Sequence, residues 1–321
     1  MAMMRGYLSR LFGAWALTAL AWPAAWAAPL IGPTELQTLA QQGAVRIVDV
    51  READAYAMQH LPGAVSAPYL TRWRGPATNP GLPPSQRELT ALVQSLGLTP
   101  ETRTVLVYTG TDSSDFATAA RAYWTLKSLG AKDLSILNGG LNAWRSAGLP
   151  VSNQATVAPR SQWQPRFNPQ WLATREDVRA LLGQPGAVLV DSRPAPFYQG
   201  RVQVDLAHAK GTLPGAINQD SDLYFELGSA VLMDKDSLQA EADKAHAKPE
   251  QTVVTFCNAG HWSATDWFVR SELLGEPNVK LYAGSVIDWS QAPQALPMVN
   301  EPSRAETLRQ MLTTWVNRNI K

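Results

Sequence analysis

The chain of 321 residues has a single cysteine, Cys257, so no internal disulfide can form. Histidine is scarce, and His208 and His246 stand at no ligand-like spacing to each other or to Cys257. No metal site is expected from such a set, and no cofactor. Charge of one sign is missing as well. The formal net charge is +1, and without Arg5 and Arg10 there remain 26 basic against 27 acidic side chains. That balance gives no overall basic field for nucleic acid or anionic lipid. Low-complexity tracts are absent, and the length suits two domains of ordinary size.

Long apolar runs are also lacking, apart from one near the start. Arg5 and Arg10 precede an apolar run over 11–22 that is short for a bilayer span, Pro23 breaks it, and Ala25-Trp26-Ala27 offers small residues at a cleavage site. Residues 1–27 are therefore expected to be a signal peptide cleaved after Ala27. The mature protein is then periplasmic or secreted, with no stable membrane association. In an oxidising compartment an unpaired thiol is a liability unless it is buried or used.

What is present is a duplication. Val48-Asp49-Val50-Arg51 followed by His60-Leu61-Pro62-Gly63-Ala64 is echoed by Val190-Asp191-Ser192-Arg193 followed by Thr212-Leu213-Pro214-Gly215-Ala216. Asp49 and Asp191 are 142 positions apart. The run 104–109 matches 252–257 at an offset of 148, and 139–144 matches 284–289 at 145. Blocks in one order at nearly constant offset mark an internal repeat. Each copy alternates short apolar strands with amphipathic helical stretches, which predicts an α/β fold with a parallel sheet covered by helices. The expected boundaries are 28–149 for domain 1, 150–170 for a Pro-, Asn- and Gln-rich linker, 171–290 for domain 2 and 291–321 for a C-terminal extension. Helices are expected at 34–42 (Thr34 as its cap), 88–96, 116–129, 174–182, 264–274 and 305–316. Strands are expected at 47–50, 105–108, 188–190 and 253–256.

Cys257 opens Cys257-Asn258-Ala259-Gly260-His261-Trp262-Ser263 directly after the β-branched run 252–256 and before a helical pattern. A loop between strand end and helix presents backbone N–H groups, which favour a thiolate or persulfide. A lone cysteine can equally be a small buried hydrophobe. Gly260 would give the loop a backbone geometry closed to other residues.

With these residues in view, the chain resembles the tandem-domain rhodanese sulfurtransferases, which include thiosulfate and 3-mercaptopyruvate sulfurtransferases. The resemblance covers nearly everything after residue 27. It implies two rhodanese-like domains, the first inactive, with Thr109 standing where the second has Cys257. It further implies that Cys257 takes the outer sulfur of a small anionic donor and passes it to cyanide or a thiol, including a protein thiol, by ping-pong chemistry in a monomer. The loop amides of 258–263 would steady the sulfur anion. Thiosulfate-type loops carry basic side chains after the cysteine, and mercaptopyruvate-type loops carry Gly then Ser. Asn258-Ala259 matches neither, so the donor stays open between the two.

The resemblance also implies roles for two residues outside the loop. Arg193 would bind the donor's anionic group, or else pair with a nearby carboxylate. His60 would approach the site from domain 1, or else fix the turn at Leu61-Pro62-Gly63. His261 is read as a partial positive charge for a sulfonate or as an exposed loop residue. Trp262 is read as a pocket wall or as filling between domains. A cysteine phosphatase would need Arg six residues after the cysteine, and position 263 is Ser. The alternative class is a low-turnover persulfide carrier or partner-binding module.

Overall fold

A computed structural model describes residues 28–302. The expected signal segment and the expected helix at 305–316 lie outside them. Two parallel sheets, each flanked by helices, form two domains. The first sheet holds β1 (Leu30–Ile31), β2 (Arg46–Asp49), β3 (Val65–Ser66), β4 (Thr104–Val107) and β5 (Leu134–Leu137) in the order β1-β5-β4-β2-β3. The second holds β6 (Ala187–Asp191), β7 (Ile217–Asn218), β8 (Thr252–Phe256) and β9 (Val279–Leu281) in the order β7-β6-β8-β9. The repeat extends to the edge. Where β1 pairs with β5, a single parallel bridge joins Leu172 to Leu281 of β9. The central strands β2, β4, β6 and β8 are mostly buried, so they read as continuous Val/Ile/Leu runs rather than alternating ones.

Helix limits moved where capping side chains decided them. The first helix is Pro33–Gln41, with Gly32 at the cap and Pro33 in the first turn, so Thr34 lies inside rather than capping. Gln86–Ser95 begins two residues before the expected 88, because Ser85 and Glu88 form a reciprocal capping box. Ser113–Ser128 begins three residues before 116, because the Asp112 carboxylate accepts from the Asp115 amide. The expected helix 264–274 is α-helical over Trp262–Phe268 and then widens into a π-turn, Val269–Leu273.

Helix Ser113–Ser128 is buried on most of its surface because it is enclosed between the domains. It packs on Trp262–Phe268, with Phe116 and Tyr123 both edge-on to Phe268, so one hydrophobic core runs through both domains. Residues 150–168 contain no regular element, yet they do not swing free. Ser152 exchanges two backbone hydrogen bonds with His60, and the side chains of Gln86 and Gln94 donate to the carbonyls of Pro165 and Trp163. No helix among the described residues is long and apolar enough to cross a membrane.

Candidate active site

Strand β8 delivers Cys257 to its C-terminal end, where ligands of open parallel sheets bind. The thiol is almost fully buried at the base of a cavity of about 370 Å³. Pro80, Val204, Leu206, Trp262 and Ile287 make the cavity largely apolar, and Arg74 and Asp205 are its charged side chains. The loop turns at Gly260, whose φ is +62°; a Cβ there would stand 2.5 Å from both Ala283 O and Arg121 Nη1. Only glycine fits.

The expected ring of amides around sulfur is narrower than the loop's length suggested. The His261 amide donates to Sγ at 3.2 Å. Those of Cys257 and Gly260 instead donate to the Ser285 hydroxyl, at 3.0 and 3.1 Å, and that hydroxyl donates to Tyr282 O at 2.8 Å. Ser285 is fully buried and takes a left-handed φ of +55°, unusual for a residue with a side chain. The amides of Val286 and Ile287 hold the carbonyls of Cys257 and Asn258. Ser263 Oγ is buried and has no hydrogen-bond partner among the described residues.

In the first copy the corresponding loop is closed from within. Asp115, the counterpart of Ser263 at the same offset of 148, accepts from the amides of Gly110 (2.7 Å), Thr111 (3.0 Å) and Thr109 (3.4 Å) and from the Thr111 hydroxyl. A carboxylate of the chain thus occupies the amides that could receive an anion. Domain 1 lacks the thiol and fills the anion seat too.

A profile of the rhodanese-like domain matches residues 32–147 and 174–292. The chain belongs to the rhodanese family. It is 31% identical over 265 residues to a thiosulfate sulfurtransferase of Pseudomonas aeruginosa, covering 82% of this chain and 94% of the relative. To a probable 3-mercaptopyruvate sulfurtransferase of the same organism it is 32% identical over 253 residues, covering 75% and 85%. The fold matches that of SseA from Escherichia coli, a 3-mercaptopyruvate sulfotransferase, with a TM-score of 0.71 at 24% identity over 81% of this chain and 99% of that one. An anaerobic ergothioneine biosynthesis enzyme from Chlorobium limicola shares the fold with a TM-score of 0.76 at 22% identity, covering 85% and 71%. This rhodanese is a sulfurtransferase.

Two of the rhodanese's expected site residues stand elsewhere. Arg193 does not line the cavity. Its guanidinium grips Asp191 through Nε (2.8 Å) and Nη2 (2.6 Å), donates to Gly211 O, and reaches Asn258 Oδ1 at 3.3 Å. It therefore steadies the loop from behind, just as Arg51 grips Asp49 in domain 1. His60 does not line the Cys257 cavity either. Its ring stacks on Tyr56 with centroids 3.8 Å apart, and both nitrogens contact backbone carbonyls, those of Tyr56 and Gln154. It fixes the turn.

His261 and Trp262 bind the loop to domain 1. The imidazole bridges the Tyr69 hydroxyl (3.0 Å) and Ser114 Oγ (3.2 Å), and Trp262 Nε1 also donates to Ser114 Oγ. Burial, reinforced by Arg74, holds the His261 pKa down at about 4. The ring is thus neutral at pH 7, which corrects the expectation of a cation for a sulfonate. Trp262 lines the cavity and packs on Phe197 of its own domain, and its Nε1 is what reaches domain 1, at Ser114.

The cation facing the cavity is Arg74, which sequence reading missed. Its side-chain hydrogen bond is a long one, 3.4 Å to Pro80 O, and among the described residues no carboxylate pairs with it. Nothing in the local sequence around Trp73-Arg74 marks it, because it arrives from the first copy. Ser285 did leave a trace: the repeat places it opposite Gly140.

Proposed function

We propose that the rhodanese moves a sulfane sulfur from a small anionic donor to a thiophilic acceptor through a persulfide on Cys257. The observation that carries this reading is the position of Cys257. It directly follows β8 and lines the cavity, with the His261 amide on its sulfur. In the first half-reaction the Cys257 thiolate attacks the donor's outer sulfur. The donor's own bond to that sulfur breaks, and sulfite leaves with the electron pair when the donor is thiosulfate. In the second, cyanide or a thiolate attacks the outer sulfur of the persulfide and Cys257 thiolate is regenerated.

Arg74, rather than Arg193, is the group we assign to the donor's anionic end. An unpaired guanidinium above an apolar floor suits sulfonate or carboxylate. The basic start, short apolar run and Ala25-Trp26-Ala27 support export of the mature protein to the periplasm or beyond.

The test is intact mass after incubation with thiosulfate and, separately, with 3-mercaptopyruvate. The expected result is a gain of one sulfur, removed by cyanide and absent in Cys257→Ser. The donor concentration giving half-maximal gain should rise about tenfold or more in Arg74→Met, as for loss of a charge-assisted pair. No gain from either donor, or a gain surviving in Cys257→Ser, overturns the mechanism. A gain without turnover of cyanide or small thiols would make the protein a persulfide carrier.

A further inference from the structure

Four arginines are buried among the described residues, and three of them grip carboxylates: Arg51 with Asp49, Arg193 with Asp191, and Arg270 with Asp266 and Glu276. Arg121, only 1% exposed, has none. Its Nη1 donates to Gly260 O at 3.0 Å and its Nη2 to Gly81 O at 2.7 Å. The guanidinium lies over the Trp124 ring, 4.9 Å from its centroid, and Nε has no partner among the described residues. A buried cation lacking a counter-charge is destabilising. Burial lowers the Arg121 pKa to about 10, so it stays charged at neutral pH.

Tyr69, Arg74 and Cys257 are charged or ionisable groups near Arg121. Burial pushes the Tyr69 hydroxyl up, away from ionising. Arg74 is itself a cation. Of these three, the sulfur of Cys257 is the one that can supply an anion, and it is joined to Arg121 by geometry. The connection is a single peptide group: the Gly260 carbonyl accepts from Arg121, and the N–H at the other end of that peptide, on His261, donates to Sγ. A cation on the carbonyl polarises the peptide and strengthens the hydrogen bond that its N–H makes.

We propose that Arg121 of the inactive domain is the fixed counter-charge of the Cys257 sulfur anion, a positioning residue that acts through the Gly260–His261 peptide. The second domain thus borrows its charge from the first. This inference rests on the reading of Cys257 as the reacting group, but its test needs no sulfur donor.

The experiment compares Arg121→Met, Arg121→Gln and Arg121→Lys with wild type in the full chain, folding being checked by circular dichroism. The readout is the rate of Cys257 alkylation by iodoacetamide, a neutral reagent, at one pH. Loss of the charge should slow alkylation about tenfold or more in Met and Gln, with Lys restoring most of it. Gln keeps a hydrogen-bond donor, so it separates charge from tethering.

A second measurement uses the wild-type chain alone. Iodoacetamide and iodoacetate leave adducts of similar shape on Cys257, the first neutral and the second anionic. The neutral adduct should melt at the lower temperature, because it strands Arg121. Folded Met and Gln variants that alkylate like wild type, a Lys variant as slow as Met, or adducts with equal melting temperatures would each overturn the proposal. Normal dependence on Arg121 with no persulfide formed would instead fault the sulfurtransfer reading.

Discussion

Replacing Ser285 by Ala removes one oxygen and leaves three backbone groups without their partner. The amides of Cys257 and Gly260 lose their acceptor, and Tyr282 O loses a donor, all in a fully buried setting. A buried polar group left unsatisfied costs about 1–3 kcal/mol, and the three share one relaxing loop, so the total should be about 2–5 kcal/mol. Alanine keeps the left-handed backbone at φ +55° and gains nothing back. Glycine removes a strain of about 1 kcal/mol, so Ser285→Gly should be milder than Ser285→Ala by about that amount. The first copy shows the unadorned version. Gly140 stands at φ +58°, where a Cβ would lie 2.5 Å from Tyr108 O, and no side chain could serve that loop. Urea unfolding of the two variants measures the ranking, and rapid-quench mass measures persulfide formation, which should slow in both as the loop loosens. A Ser285→Ala protein within about 0.5 kcal/mol of wild type and equally fast would refute the reasoning, as would Gly proving worse than Ala.

Two further outcomes are expected. His261 ordinarily titrates near 6.5 and is held at about 4 here, so on acidification the unfolded chain takes the proton first. Its contribution to stability is complete above about pH 6.5 and is lost as pH falls toward 4. Between pH 7 and 5 wild type should lose about 1–2 kcal/mol more than His261→Gln. Equal losses in chemical denaturation would refute this. In a Cys257→Ser background, Thr109→Cys should give a thiol that iodoacetamide alkylates about tenfold more slowly than Thr109→Cys with Asp115→Ser, because the Asp115 carboxylate repels a neighbouring sulfur anion and holds its amides. Equal rates would show that the carboxylate does not close the first site.

The sequence alone determined the duplication, the parallel α/β sheets and the cysteine at a strand end. Those properties are written in local periodicity and in blocks that recur at constant offset, so they need no knowledge of packing. Helix starts were less legible where a cap lay outside the apolar pattern, as with Asp112 and Ser85. The charges of the site were decided by tertiary structure. An arginine follows a strand-end aspartate in both copies, Arg51 and Arg193, and only the fold shows the Arg193 guanidinium spent on Asp191 rather than open to a donor. His261 looks ionisable in sequence, yet its neutrality comes from burial between Tyr69 and Ser114 of the other domain. Arg74 and Arg121 reach the Cys257 loop across the domain interface, with no spacing to announce them. Whether a side chain is an anion clamp, a counter-charge or a strut depends on which partners and how little water surround it. That is settled by elements distant in the chain, which no short motif encodes.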